Sequence, residues 1–289
     1  FLGNRSMADR VSPAAWDASL LQVEARLARV PTEHRERCGR VMRGDDSQQG
    51  FSQAWQDWIL YRNFFANQTD GVYVDIGATE AVSLSNTAFF DICLGWRGAC
   101  FEPQERYHAR IRSLRSCTLV PHCVLGRAAN VTMTGKGVDR GIKIASGDGK
   151  GNERCVAILD ALASVSLPTT IDLLSIDIEG AEPHVLRCMP WHKLQVRFVL
   201  IETNRHDMRL VDGFFSAHGF ANVMTMWGHT STSHRAFPLD NLYMRHSLGP
   251  LVTPRGRARC NAEDRKLNPW CGGHHLWLED PTWGRCTEG

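Results

Sequence analysis

The pattern of apolar and polar positions between residues 51 and 246 switches repeatedly between a strand period and a helix period. Predicted strands cover 72–76, 99–102, 118–125, 171–177, 197–203, 220–226 and 241–245. Predicted helices cover roughly 85–94, 105–115, 158–165, 181–189 and 207–218. Strands that alternate with helices are typical of a sheet covered by helices on both faces. The pattern therefore predicts an α/β fold with a doubly wound, mostly parallel sheet.

An amphipathic helix is predicted before this region, over residues 12–30. Its apolar positions, which follow steps of three and four residues, are Trp16, Leu20, Val23, Leu27 and Val30. We expect this helix to dock on the main domain, although a stem or a self-association surface would have the same pattern.

The remaining segments have little periodicity. Residues 31–50 are charged and contain Cys38, which predicts a linker tethered by a disulfide. Residues 134–152 contain six glycines and predict a mobile surface loop, either a lid or disordered chain. We divide the chain into an N-terminal helical segment with its linker (1–50), a main domain (51–248) and a C-terminal extension (249–289).

Composition narrows the class of protein. The chain has 289 residues, of which 43% are apolar, so it can bury a substantial core. A net charge of +2 indicates a balanced surface without the concentrated basic stripe that binding a nucleic-acid phosphate backbone requires. We therefore expect no nucleic-acid partner. We find no apolar stretch long enough to span a membrane and no signal peptide at Phe1. We therefore interpret the sequence as a processed or trimmed luminal portion of a protein.

The chain has ten cysteines, and the last three lie in a tail rich in Pro, Gly and Trp. Cys260, Cys271 and Cys286 therefore predict a disulfide-tied C-terminal extension. The rival interpretation, ordinary buried thiols of a cytosolic protein, is the one we apply to Cys93 and Cys100, because they fall on segments with a core-like pattern.

Glycosylation motifs give a second indication of the compartment. Asn4, Asn67 and Asn130 each begin an N-x-S/T sequon in or beside a polar, loop-like stretch. Together with the tail cysteines, these sequons favour the secretory pathway, either the Golgi lumen or secretion.

Candidate ligand-binding residues follow the first predicted strand, in VYVDIGATEAVSLSNT (72–87). Ligands of doubly wound sheets bind beyond the carboxyl ends of the strands, where the strand order reverses. A dinucleotide site would need G-x-G-x-x-G, but this turn has one glycine. An acid at the strand end instead suits ammonium or hydroxyl groups, such as those of S-adenosylmethionine. The candidate cofactor residues here are Asp75, Gly77, Ala78 and Asn86, although Asn86 could be only a helix cap.

A second acid, Glu102, ends the next predicted strand in ACFEP. A carboxylate at this position can accept hydrogen bonds from both hydroxyls of a ribose. Either acid alone would be weak evidence, because acids commonly cap the helix that follows.

Several blocks, in this order, resemble the FkbM-type S-adenosylmethionine-dependent methyltransferases. They are SQAWQD (52–57), VYVDIGATEAVSLSNT (72–87), LGWRGACFEP (94–103), AILDAL (157–162), IDLLSIDIEGAEPHVL (171–186), RFVLIET (197–203) and DNLYMR (240–245). The resemblance implies a class I methyltransferase sheet and methyl transfer to oxygen, often of a sugar or another natural product. The chain departs from it at Glu80-Ala81, where the family usually has an acid followed by Gly. The resemblance also favours cofactor contacts from Gln53 and Asp57, for which a helix start capped by Ser52 is the alternative.

Methyl transfer to an alcohol requires orientation of the reactants and a group that accepts the proton. Asp177 and Glu179 come at the end of one strand, and would share a face if the strand continued that far. Glu202 and His206 follow the next strand. These four residues are our catalytic candidates. The alternatives are a helix N-terminal acid for Glu179, a surface loop histidine for His206 and a buried acid satisfied by backbone N–H groups for Glu202.

Two further features leave alternatives open. Asp177 with Glu202 or Asn204 could supply oxygen ligands to a divalent ion, but the resemblance does not require one and we do not expect it. The tail segment 271–286 could be a flap that borders the acceptor site, with Trp277 or Trp283 stacking on a sugar, or only a structural knot.

The sequence thus leads to one hypothesis, an S-adenosylmethionine-dependent O-methyltransferase that acts on a carbohydrate hydroxyl in the secretory pathway. The alternatives are a non-catalytic relative that binds cofactor or glycan, and an NAD-dependent oxidoreductase, which the missing glycines disfavour.

Overall fold

The computed structural model describes residues 22–45, 50–66, 68, 70–134, 141–143, 151, 153–229 and 236–246. The strands are β1 (Val72–Ile76), β2 (Arg97–Phe101), β3 (Thr118–Val120), β4 (Cys123–Leu125), β5 (Ala129–Thr134), β6 (Gly141–Lys143), β7 (Glu153–Ala157), β8 (Thr170–Ile176), β9 (Gln195–Glu202), β10 (Phe220–His229) and β11 (Ala236–Arg245). The helices are α1 (Arg35–Arg43), α2 (Gln56–Leu60), α3 (Ala88–Ile92), α4 (Glu105–Leu114), α5 (Ile158–Ser164), α6 (Glu182–Cys188) and α7 (Met208–Ala217).

Seven strands form the central sheet, in the order β10-β11-β9-β8-β1-β2-β3. Neighbours from β9 to β3 are parallel, whereas β11 is antiparallel to both β9 and β10. The predicted doubly wound, mostly parallel sheet is therefore confirmed. Its strand order reverses between β1 and β8, which pair with Tyr73 opposite Leu173. That reversal creates the crevice beyond the carboxyl ends of the strands.

The two faces of the sheet carry separate apolar cores. Tyr73 and Leu173 point into one core with the Phe-rich segment around Phe65 and Phe89. Val74 and Leu174 belong to the other core, among 29 fully or nearly fully buried residues that include Phe215. All five residues of β1 are buried, as expected for a central parallel strand covered on both faces.

A second sheet, in the order β4-β7-β5-β6, was not predicted. The expected strand 118–125 is wrong as one element, because Pro121 interrupts it and β3 and β4 enter different sheets. The loop predicted over 134–152 is also corrected in part, since Gly141–Lys143 pairs with β5. Most other residues of that segment lie outside the described part of the chain.

Residues before the main domain pack on it where they are described. Val23, Leu27 and Val30 are buried in the core that contains Phe65 and Phe89. The predicted docking of the amphipathic helix is thus confirmed for residues 22–30, while residues 12–21, with Trp16 and Leu20, lie outside the described residues.

Disulfides join Cys38 to Cys93, Cys100 to Cys117, and Cys123 to Cys155. Cys188 is disulfide-bonded as well. The predicted disulfide tether at Cys38 is confirmed, but the predicted linker is wrong, because residues 35–43 form the helix α1, whose Val41 and Met42 are buried in the core. The expectation of free buried thiols at Cys93 and Cys100 is wrong, because each of these core positions lies beside a partner cysteine supplied by a distant segment.

Several predictions concern residues outside the described ranges, namely the sequons at Asn4 and Asn67, the cysteines 260, 271 and 286, and Trp277 and Trp283. The third sequon residue, Asn130, is exposed on β5 and is not in a loop. Among the described residues, no helix combines the length and the apolar character that crossing a bilayer requires.

Candidate functional site

A cleft of about 270 Å³ opens beyond the carboxyl ends of β1, β2, β8 and β9. Its apolar lining residues include Ile76, Phe101, Val124 and Met133. Its acidic lining residues are Glu102, Asp177, Glu179 and Glu202. The site therefore lies where the reversal of strand order predicts it.

Gly77 lets the turn after β1 approach the end of β8. Its φ is +93°, and a Cβ at this position would lie 1.9 Å from the backbone oxygen of Asp177. Its N–H donates to the oxygen of Phe101 at 3.0 Å. The neighbouring Ala78 is buried and donates to the same oxygen at 3.2 Å. Gly77 lines the cleft as predicted, whereas Ala78, also predicted to contact the cofactor, does not line it.

Glu102 lies at the tip of β2 and lines the cleft, as predicted. Its carboxylate accepts hydrogen bonds from the backbone N–H groups of Thr79 at 2.9 Å and Gln104 at 2.7 Å. Burial raises the pKa of Glu102, and these two N–H groups oppose that shift. Each oxygen keeps a lone pair, so the oriented carboxylate can still accept hydroxyl groups.

Asp75 lies behind the cleft and is not among the residues that line it. Thr87 Oγ1 donates to its carboxylate at 2.5 Å, and Arg115 Nη1 lies 3.9 Å from the same oxygen. Arg115 is fully buried and also donates to Asp91 at 2.5 Å and to Ala81 O at 3.2 Å. This buried network holds the turn after β1 in place. Asp75 therefore stabilises the turn and does not make the predicted contact with the cofactor.

Asn86 is likewise buried in that turn, with Nδ2 3.5 Å from Ser175 Oγ. The alternative role as a helix cap falls to Ser85, whose hydroxyl accepts from Ala88 N at 3.1 Å. Asn86 does not line the cleft.

In the SQAWQD segment, one residue agrees with the predicted cofactor contact and another agrees with the alternative of a helix start. Gln53 lines the cleft, as expected for a cofactor contact. Asp57 is fully buried, and its carboxylate accepts from Phe51 N and Ser52 Oγ, both at 2.6 Å. The structural alternative therefore describes Asp57, which holds the start of α2 and does not reach the cleft.

The turn after β8 carries two acids into the cleft, although not in the predicted way. The strand ends at Ile176, so Asp177 and Glu179 do not share a strand face. Glu179 instead adopts a left-handed conformation with φ +59°, and its carboxylate forms an ion pair with Arg205 at 2.5 Å. Both acids line the cleft.

Glu182, which sequence reasoning did not single out, holds this turn in place. Its Oε1 accepts from Ile178 N at 2.9 Å and from Gly180 N at 3.2 Å, while its Oε2 contacts His206 Nε2 at 2.6 Å. Glu182 thus takes the helix N-terminal role that we considered for Glu179. His206 is buried, so the surface histidine interpretation is wrong, and it does not line the cleft as a catalytic base would.

Glu202 lies at the tip of β9 and lines the cleft. Asn204 Nδ2 donates to its Oε1 at 2.6 Å, but no described residue donates to its buried Oε2. Burial, followed by repulsion from Asp177, raises the pKa of Glu202 to about 10. Burial and Asp240 likewise raise the pKa of Asp177 well above its usual value. The predicted alternative, a Glu202 satisfied by backbone N–H groups, is therefore wrong.

The missed residues each have at least one partner that is distant in sequence, such as His206 for Glu182. Gln56 Nε2, for example, donates to Asp240 at 2.5 Å across 184 positions. The only local signal was the third acid of IDIEGAE, Glu182, which begins a helix with Pro at the next position.

The sequence profile of the methyltransferase FkbM domain matches residues 75–221, just over half of the chain. No curated protein matches the chain in sequence. Among solved structures, the chain is similar to the METTL16 methyltransferase domain, with 9% identity, a TM-score of 0.41, and coverage of 84% of this chain and 96% of that one. It is also similar to precorrin-6y C5,15-methyltransferase from Geobacter metallireducens, with 15% identity, a TM-score of 0.34, and coverage of 61% and 79%.

Proposed function

The chain belongs to the FkbM methyltransferase family, and from this premise we propose that it transfers a methyl group from S-adenosylmethionine to a carbohydrate hydroxyl. The observation that carries the proposal is the division of the cleft. Glu102 and Phe101 come from the end of β2, whereas Asp177, Glu179 and Glu202 come from the ends of β8 and β9, on the other side of β1 in the sheet. The first end suits a nucleoside and the second suits an acceptor with hydroxyl groups.

The residues at the nucleoside end fit S-adenosylmethionine. Glu102 can accept from the two ribose hydroxyls, and Phe101, Val124 and Met133 offer apolar surface to the adenine. Gln53 can bind the amino acid part from the rim of the cleft. When bound, the cofactor supplies a methyl group on a positively charged sulfur.

At the other end, Glu179 is the residue proposed to accept the proton of the acceptor hydroxyl. Glu179 lines the cleft, and the ion pair with Arg205 holds its carboxylate in one orientation. Glu202 is a poorer candidate because it is buried and its Oε1 already accepts from Asn204 Nδ2. Asp177 and Glu202 then hold the hydroxyl in place, and Glu182 positions Glu179 through the turn that it clamps.

A carbohydrate acceptor is supported by the polar rim of the cleft. Gln53, Gln104, Asn204 and Arg205 offer donors and acceptors of the kind that bind several hydroxyl groups at once. The secretory pathway, in the Golgi lumen or outside the cell, is supported by the three disulfides among described cysteines and by the exposed sequon residue Asn130.

Calorimetric titration of S-adenosylhomocysteine and, separately, of NAD into the purified protein tests the cofactor. We expect binding of S-adenosylhomocysteine alone, weakened about tenfold or more in Glu102→Gln. Glu105→Gln, an exposed acid on α4, is the matched control and should bind like the wild type. Binding of NAD alone would contradict the proposal and support an oxidoreductase.

Transfer of labelled methyl groups to a panel of glycans tests the reaction. We expect a methyl ether on one hydroxyl, and we expect Glu179→Gln to lose transfer while it keeps cofactor affinity. Cofactor binding with no transfer to any glycan would contradict the proposed acceptor and support a non-catalytic relative.

A further inference from the structure

Three carboxylates meet at the acceptor end of the cleft, at the tips of β8 and β9. One oxygen each from Asp177, Glu182 and Glu202 lies within 4.8 Å of the others. Both oxygens of Glu182 already have partners, two backbone N–H groups and His206. Glu182 therefore contributes negative charge to the group and is not a direct ligand candidate. Asp177 and Glu202 both line the cleft.

Glu202 gives an independent indication that this group of acids is incomplete. The residue is only 7% exposed, and its Oε2 is buried without a hydrogen-bond donor among the described residues. The amide oxygen of Asn204, whose Nδ2 is bonded to Glu202, is also a buried acceptor without a described donor. Buried acceptors that lack a partner cost free energy, which a bound cation would recover.

Charge leads to the same conclusion. In the described part of the chain, neither Asp177 nor Glu202 forms an ion pair, while Arg205 pairs with Glu179 and His206 contacts Glu182. Buried carboxylates in proteins are normally paired with a cation or coordinate a metal. Another buried acid, Asp240, repels Asp177 and is hydrogen-bonded to Gln56, so it adds further negative charge.

We propose that Asp177, Glu202 and the amide oxygen of Asn204 bind one divalent metal ion, with Glu182 behind them as a charge and orientation partner. All the donors are oxygens, which selects hard ions such as Mg²⁺, Mn²⁺ or Ca²⁺ over ions that prefer sulfur or imidazole. The site is at the acceptor end of the cleft, opposite Glu102, so the ion would bind an acceptor oxygen and leave the nucleoside end unchanged. The proposal does not depend on which acceptor is methylated.

Titration of the full chain with Mn²⁺, followed by the electron paramagnetic resonance signal of the free ion, tests the site without any assay of activity. We expect saturable binding of one ion per chain and displacement by Mg²⁺ or Ca²⁺. Glu202→Gln and Asp177→Asn should each weaken Mn²⁺ binding about tenfold or more. The matched control Asp160→Asn, an exposed acid on α5, should leave it unchanged.

Two results would overturn the proposal. One is the absence of saturable Mn²⁺ binding, or equal binding in the wild type and both variants, measured with and without S-adenosylhomocysteine. The other is competition between S-adenosylhomocysteine and Mn²⁺, because the acids would then bind the ammonium group of the cofactor. Thermal unfolding of each variant verifies its fold, and Asp177→Asn at a partly exposed position supplies the answer if Glu202→Gln does not fold. If the protein transfers methyl groups but does not bind Mn²⁺, the metal site is wrong while the proposed function stands.

Discussion

Oε2 of Glu182 lies 2.6 Å from Nε2 of His206, in a contact that joins the turn after β8 to the turn after β9. The two residues are 0% and 8% exposed, so the contact is shielded from water. Because the other oxygen of Glu182 holds Ile178 and Gly180, one side chain fixes both turns that carry acids into the cleft. The geometry of the acceptor end therefore depends on a residue that does not line it.

Replacing Glu182 tests this dependence. We expect Glu182→Ala to lower the free energy of unfolding by about 3 kcal/mol, because two partly buried backbone N–H groups and the buried His206 side chain lose their partner. Glu182→Gln keeps an oxygen for the turn and should lose less. Urea unfolding measures both variants, and equal stability of the wild type and Glu182→Ala would contradict the clamp.

Arg115 should be as important for the nucleoside end. Arg115→Met removes the cation from a buried network with Asp75 and Asp91, and we expect a loss of about 3–5 kcal/mol in unfolding free energy. Affinity for S-adenosylhomocysteine should fall too, because the turn after β1 loses the donor to Ala81 O. Arg112→Met, an exposed residue on α4, is the control. A variant that unfolds and binds like the wild type would show that the network is dispensable.

Gly77→Ala should be destabilising and should weaken cofactor binding. Its Cβ would collide with the oxygen of Asp177 at 1.9 Å, in a backbone conformation that disfavours any side chain. Gly213→Ala is the matched control, since nothing lies within 4 Å of the new Cβ on helix α7 and stability should rise by about 0.5–1 kcal/mol. Thermal unfolding compares the two. A Gly77→Ala variant as stable as Gly213→Ala would rule out the close approach.

Cofactor affinity should depend on pH through Glu102. Burial raises its pKa above the usual 4.5, so the carboxyl gains a proton at a higher pH than an ordinary glutamate does. The ionised form accepts both ribose hydroxyls, and affinity should fall as the pH is lowered through that raised pKa. The same shift means that the Glu102 contribution to stability is complete below its unfolded pKa and is lost as pH rises through the folded one.

Calorimetry of S-adenosylhomocysteine binding between pH 5 and 8 measures this dependence. Glu102→Gln should bind more weakly and with a flatter pH profile, because its amide does not titrate in this range. An unchanged slope in the variant would assign the titration to another group.

The disulfide between Cys38 and Cys93 should stabilise the docked N-terminal segment. Replacing both cysteines by Ser should lower the free energy of unfolding by about 3–4 kcal/mol, because the bridge closes a loop with a sequence separation of 55. The bridge between Cys100 and Cys117, with a separation of 17, should contribute less in the same measurement. Urea unfolding without reductant gives both values, and the reverse order would contradict the loop-entropy argument.

The parts of the fold that were predictable are those encoded by local periodicity. β1, β8 and β9 are nearly continuous apolar runs, and the acids that follow β2, β8 and β9 reach the cleft because a parallel sheet brings their ends together. The second sheet was not predictable in this way. Its strands β6 and β7 flank a glycine-rich segment, and their pairing with β5 depends on tertiary contacts that local sequence does not specify.

The roles of individual polar residues were harder to predict, because a strand tip specifies where a side chain begins and not which partner it finds. Asp75 and Glu102 occupy equivalent positions in the sequence pattern, yet Arg115 lies beneath Asp75 while Glu102 borders the open cleft. Similarly, the spacing of Cys93 and Cys100 gives no information on Cys38 and Cys117, the partners that decide their oxidation state.

The central pairing of β1 with β8 has a consequence for synthesis of the chain on the ribosome. β1, with Tyr73, emerges about 100 residues before its neighbour Leu173, which corresponds to roughly 5–20 s of translation. During that interval the backbone N–H and C=O groups on the edge of β1 that β8 later covers have no native partner, and the end of the cleft formed by β8 and β9 does not exist. The nascent chain should therefore need protection by a chaperone until β8 and β9 have left the exit tunnel.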